Sequence, residues 1–128
     1  MYRCPASLLA LAAVAWVAPA SAQVQRAFPQ DALRGEVAFE MPPEVAVNGQ
    51  AARLAPGSRI RDQNNMLAMS GTLAGAKFMA HYTIDKDGNV KDVWILRPDE
   101  LAKRPWPVTP EEAQSWVFDP IAQTWTRP

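Results

Sequence analysis

The chain has 128 residues, 13 of them Lys or Arg against 13 Asp or Glu, and a single histidine. That balance leaves no electrostatic footprint for nucleic acid or for an anionic membrane surface, and no Lys/Arg run interrupts it. One cysteine, Cys4, cannot build an intrachain disulfide or a thiolate metal cluster.

The first elements in chain order are those of an export signal. Arg3 supplies a positive n-region, residues 8–17 (LLALAAVAWV) form an apolar run, and Pro19 precedes Ala20-Ser21-Ala22, an A-x-A cleavage pattern. Residues 1–22 therefore read as a signal peptide, the apolar run being short for a membrane span. The expectation is a periplasmic or secreted mature chain, residues 23–128, with no membrane span after cleavage. It is long enough for one small domain around one core. It keeps ten of the twelve prolines and has no cysteine, which removes Cys nucleophiles as well.

Proline and glycine punctuate short apolar runs throughout. This predicts a mainly β domain, a small antiparallel sheet or sandwich of about five to six short strands with one or two short C-terminal helices. FPQDALRG predicts one helical turn ended by Gly35. GEVAFEM alternates as a strand with Val37, Phe39 and Met41 on one face, and Pro42-Pro43 stops it. PEVAVNGQAARLAPG reads as a hairpin closed by Asn48-Gly49, because a type I′ turn needs positive φ at both positions. That loop pairs Val47 with Gln50, Val45 with Ala52, and Glu44 with Arg53. After Pro56-Gly57, SRIRD predicts a short strand with Arg59 and Arg61 projecting together, and MLAMSG carries a fainter strand pattern.

TIDKDGNV, residues 83–90, poses the choice between a calcium loop and a turn. An EF-hand loop starting at Asp85 requires glycine sixth and glutamate twelfth. Val90 and Leu96 stand there, so the aspartates are expected to build a turn. With Lys86-Asp87-Gly88 as a three-residue loop and Gly88 left-handed, Ile84 faces Val90, Tyr82 faces Asp92, Ala80 faces Trp94 and Phe78 faces Leu96. This register places Trp94 on the apolar face, and puts Val93 and Ile95 with His81 on the more polar one. A two-residue loop would pair Tyr82 with Val93 and bring Trp94 beside His81. The first register segregates the apolar residues better and is the one expected.

Further on, PDELAKR predicts a short helix and RPWPV a linker. Thr109 caps PEEAQSW, with Pro110 at the first helical position and Glu112 completing a capping box. The tail VFDPIAQTWTRP reads as extended, its aromatics packing across the sheet.

Little of this looks like chemistry. His81 has no partner in sequence and reads as a surface or half-buried residue. Ser58, Ser70 and Ser115 lack a nucleophile context, and no glycine-rich phosphate loop occurs. Glu111 and Glu112 read as charges at a helix N-terminus. No catalytic residue, metal ligand or cofactor is expected. Two constellations remain. Arg53, Arg59 and Arg61 form either a basic face for carboxylates or phosphates or a solvated strand edge. Trp94, Trp106, Trp116, Phe118 and Trp125 form core, or else a groove for peptide or glycan. Arg53, Arg59, Arg61, Trp94 and Trp106 are thus the candidate ligand-binding residues.

The run PPEVAVNGQAARLAPGSRIRD, then NMLAMSGTL and TIDKDGNVKDVWIL, resembles a family of short exported proteobacterial proteins of uncharacterised function. That resemblance implies a periplasmic address and no activity. YTIDKDGNVKDVWIL with SWVFDP resembles the hairpin and W-x-F-x-P signature of TonB-type C-terminal domains, and brings no site residues. The function expected is a non-catalytic binding or accessory module of the cell envelope, engaging a protein, peptide or glycan. One alternative is a small enzyme around His81 or a carboxylate; another is a structural subunit that self-assembles through an exposed strand.

Overall fold

The computed structural model describes residues 25–128, and the expected signal peptide, residues 1–22, lies outside them. Six strands share one sheet: β1 (Leu33–Phe39), β2 (Glu44–Val47), β3 (Gln50–Arg61), β4 (Leu67–Ala68), β5 (Lys77–Ile84) and β6 (Val90–Ile95). Their order is β2-β1-β5-β6-β3-β4, and β2 pairs with β3 as well. That extra pairing closes β1, β2, β3, β6 and β5 into a five-stranded barrel, with β4 lying along β3. The chain meanders through β1, β2 and β3, then returns as β5 beside β1, which is a Greek key. β3 and β6 run parallel and the other pairs antiparallel, the connectivity of an OB-type barrel. The expected mainly β architecture of a small sheet and two short helices holds.

Alternation along each strand fills the barrel. Val37 and Phe39 of β1, Val45 of β2, Leu54 and Ile60 of β3, Ala80 and Tyr82 of β5, and Val90, Val93 and Ile95 of β6 are all buried. Each large apolar side chain taken out of water contributes about 1.5–3 kcal/mol toward folding. The Asn48-Gly49 hairpin has the expected register, with φ of 52° and 80° at its two central residues. Glu44 and Arg53 form the cross-strand ion pair that register requires, at 3.3 Å and well exposed.

Three local expectations are corrected. Ala32 N donates to Pro29 O, so a tight turn precedes β1, and the strand begins at Leu33 where a helical turn was expected. Gly35 is therefore a strand residue; a Cβ there would lie 2.8 Å from the Asn48 amide, so the close approach of that side chain requires glycine. β3 does not stop at Pro56-Gly57: it runs through them with a register shift between Leu54 and Arg59, Gly57 at φ 76° absorbing the irregularity.

The third correction concerns the β5–β6 hairpin. Its turn is the expected one: Asp85 Oδ1 accepts from the amides of Asp87 and Asn89, Gly88 lies at φ 81°, and Ile84 faces Val90. Beyond it the register slips, because Thr83 opposes both Lys91 and Asp92. Tyr82 then faces Val93, His81 faces Trp94 and Ala80 faces Ile95, so the pairs Tyr82–Asp92 and Ala80–Trp94 do not form. The Asp92 amide donates to Thr83 Oγ1 at 3.2 Å and pins the bulge. Its physical reason is the polar Lys91-Asp92 step. Absorbing one residue there lets Val90, Val93 and Ile95 all point into the barrel, and turns Trp94 and His81 to the outer wall. Gly88→Val is expected to cost about 1–2 kcal/mol in denaturant unfolding, since a β-branched residue resists positive φ; no change would mean that the turn relaxes freely.

The outer wall of the barrel is covered in turn. Segment 25–32, α1 (Pro98–Leu101), α2 (Pro110–Ser115) and the hairpin of β7 (Val117–Asp119) and β8 (Thr124–Thr126) form the cover. Thr109 Oγ1 accepts from the Glu112 amide at 3.3 Å, capping α2 as expected. Phe28, Trp106 and Trp125 are buried in this layer, with Trp116 and Phe118 half-buried against it. Among the described residues, no helix is long and apolar enough to cross a membrane.

Candidate functional site

Strand register lays a row of four side chains across the outer wall. Arg34 on β1 is opposite His81 on β5, His81 is opposite Trp94 on β6, and Trp94 is opposite Arg61 on β3. The row begins buried at Arg34 and ends half-exposed at Arg61.

His81 was expected at the surface or half-buried, and it is 0% exposed. Its ring stacks on Trp106 at 4.0 Å and meets Phe28 edge-on at 4.4 Å. Nε2 accepts from Arg34 Nε at 3.2 Å, which places the imidazole proton on Nδ1, where it is buried without a partner. Burial above all, then the cations Arg34 and Arg26, push its pKa down to about 2. Among the described residues this neutral imidazole is enclosed by Phe28, Trp106 and the Arg34 guanidinium, and no carboxylate bonds to it. Arg34 itself is brought down to about 10, by burial and then Arg104, with Glu100 opposing, and stays a cation at neutral pH. It donates to the carbonyls of Glu100 at 2.9 Å and Lys103 at 2.8 Å, tying the end of α1 to β1.

The depressed pKa fixes the sign of a pH dependence. Unfolded His81 takes up a proton near its ordinary pKa, while the folded residue does not until about 2. Its contribution is therefore complete above about pH 6.5 and is lost as pH falls, by about 1.4 kcal/mol per pH unit. Unfolding at pH 7 and pH 4.5 should show a loss about 2–3 kcal/mol larger in the wild type than in His81→Phe. Equal losses would contradict the burial of a neutral ring.

A second buried arginine anchors the N-terminal segment. Arg26 forms a bidentate ion pair with Glu100, donating from Nε at 2.8 Å and from its terminal nitrogen to the other carboxylate oxygen. It also donates to the carbonyls of Asp62 at 2.9 Å and Ile95 at 2.7 Å. Glu100 further accepts from the Arg97 amide, and Arg97 lies against Asp99.

Between this anchor and the end of β3 opens a cleft of about 720 Å³, within the size range of small-ligand sites. Arg26, Arg61, Arg97, Trp94, Asn64 and Asn65 line it, and among the described residues no acidic side chain does. Its rim is the tight loop after β3. Asp62 Oδ1 accepts from the amides of Asn64 and Met66, Asn65 takes φ 61°, and Gln63 Nε2 donates to Leu96 O at 3.0 Å. The Arg61 side chain makes no hydrogen bond or ion pair within the described residues, whereas Arg26 and Arg97 are answered by Glu100 and Asp99.

Of the sequence-derived candidates, the structure brings Arg61 and Trp94 together. Arg59 is exposed, in register with Asp92. Arg53 is engaged by Glu44 and faces a different cleft beside Pro42 and Pro43. Trp106 is enclosed in the aromatic layer, where its Nε1 donates to Ala32 O at 2.9 Å, and so is not available to a ligand. Arg26, Arg97 and the Gln63-Asn64-Asn65 loop were not singled out from sequence. The amide triplet itself, between a strand and an apolar run, was the signal that could have marked the rim. Among the described residues, no group of three His, Cys, Asp or Glu is arranged to hold a metal ion. Comparison with protein-family models, with curated proteins and with solved structures found no match.

Proposed function

We propose that the protein is a non-catalytic binding module of the cell envelope, exported by its signal peptide, which engages its partner through the cleft at Arg61 and Trp94. The observation that carries this reading is the pairing of an unanswered arginine with a half-buried indole in an open cleft. Together they supply charge and a flat apolar face, the features of a recognition surface. Among the described residues, the cleft is lined by arginines, amides, Ala27 and Trp94. The enzymatic alternative loses its histidine, because His81 is sealed between rings and an arginine. The self-assembling alternative finds little template in the main sheet, which closes on itself and is flanked along β3 only by Leu67–Ala68.

Two measurements test the reading. Mass spectrometry of exported protein should find an N-terminus at or near Gln23; a full-length species in the membrane fraction would overturn the exported form. An envelope extract should retain the wild-type protein and release an Arg61→Gln/Trp94→Ala variant. Equal retention would move the binding surface elsewhere.

A further inference from the structure

We propose that the cleft takes an acidic saccharide, a glycan whose sugar rings carry carboxylate groups; this rests on the binding reading above. Charge comes first. Glu100 and Asp99 answer Arg26 and Arg97, so the cationic surplus of the cleft sits at Arg61. A half-buried guanidinium with no counter-ion fits a carboxylate, which it grips through two parallel hydrogen bonds.

The remaining surface selects what carries that carboxylate. Trp94, opposite Arg61 in register, is half-buried and lines the cleft, and an indole carries a flat π face whose negative quadrupole attracts the polarised C–H groups of a sugar ring. Asn64 and Asn65 are exposed, and their side chains make no hydrogen bond within the described residues. A carboxamide both donates and accepts, as a sugar hydroxyl does. A cation, a flat ring and adjacent amides together match a ring that bears a carboxylate and hydroxyls. An acidic peptide fits less well. Peptide docking draws on apolar side-chain pockets, an open strand edge or, for acidic motifs, a cluster of free arginines, and two of the three arginines here are already paired with Glu100 and Asp99. Here the aliphatic lining is Ala27, and the neighbouring β3 edge is occupied by β4.

The test is calorimetric titration of the purified exported protein with short oligomers of galacturonate, mannuronate and glucuronate-containing hyaluronan, with fully methyl-esterified galacturonate oligomers, and with a poly-glutamate peptide. At least one acidic oligomer is expected to bind, the ester at least about tenfold more weakly, and the acidic interaction should weaken as salt rises. Arg61→Gln should lose that tenfold preference, Trp94→Ala should weaken acid and ester alike, and Arg53→Gln, outside the cleft, should change neither. Equal binding of acid and ester would overturn the acidic assignment and leave the binding reading intact. Binding of poly-glutamate with no saccharide bound would replace the glycan by a peptide. Silence from every saccharide, while the envelope extract still retains the protein, would overturn the glycan assignment alone.

Discussion

Trp106→Ala is expected to destabilise the protein by about 3–5 kcal/mol, the cost of emptying a large aromatic site in a close-packed layer. The indole is the hub of the outer layer. It stacks on His81, meets Phe28, Phe118 and Trp125 edge-on at 5.9 to 6.0 Å, and lies under the Arg34 guanidinium at 5.4 Å. Its removal strips contacts from the linker, the N-terminal segment and the C-terminal hairpin together, and leaves Ala32 O without the donor it now has. Trp106→Phe should recover part of the loss by refilling the ring site, though not the hydrogen bond. Denaturant unfolding measures both. A cost under 1 kcal/mol for the alanine variant would mean that the layer is peripheral to folding.

Glu100→Ala is expected to cost a similar amount, about 3–5 kcal/mol, because it leaves the buried Arg26 guanidinium without a counter-charge. The carboxylate also accepts from the Arg97 amide, so the start of α1 loosens with it. The cost belongs to the orphaned charge more than to the pair. A double variant, Arg26→Met/Glu100→Met, should therefore be less destabilised than the sum of Arg26→Met and Glu100→Met by 1 kcal/mol or more, a coupling of the size found between contacting residues. Strict additivity would show that the two side chains do not act as a unit.

What was legible in the sequence is what local chemistry dictates. Asn48-Gly49 forced a two-residue loop, so the β2–β3 register followed to the last pair, Glu44 with Arg53. Thr109 with Pro110 announced α2, and the aspartates around Gly88 announced a turn. The bulge was missed because strict alternation was imposed across Val90-Lys91-Asp92-Val93. An apolar spacing of three followed by two, at Val90, Val93 and Ile95, was its mark. That one residue moved Trp94 and His81 to the other wall, so the expected register put His81 on the more polar face and Trp94 on the core face. Closure of the barrel rests on β2 meeting β3 and β1 at once and on β3 lying parallel to β6, pairings between segments that carry no local signal of each other. Half the cleft was legible for the same reason: Arg61 and Trp94 stood out by residue type, whereas Arg26 reaches the site only through the way the N-terminal segment crosses the wall.

The barrel's outer wall is a second buried layer in which His81 is a packed neutral ring, which leaves the neighbouring cleft as the proposed recognition surface. As the chain has one histidine, its imidazole resonances need no assignment against others. Nitrogen-detected NMR of the imidazole across pH 8 to pH 4 reads its protonation state. The ring is expected to stay neutral throughout the folded state, with the proton on Nδ1 and Nε2 accepting from Arg34. A folded-state titration near the ordinary histidine value of about 6.5 would contradict it, and would make His81 a solvent-accessible base.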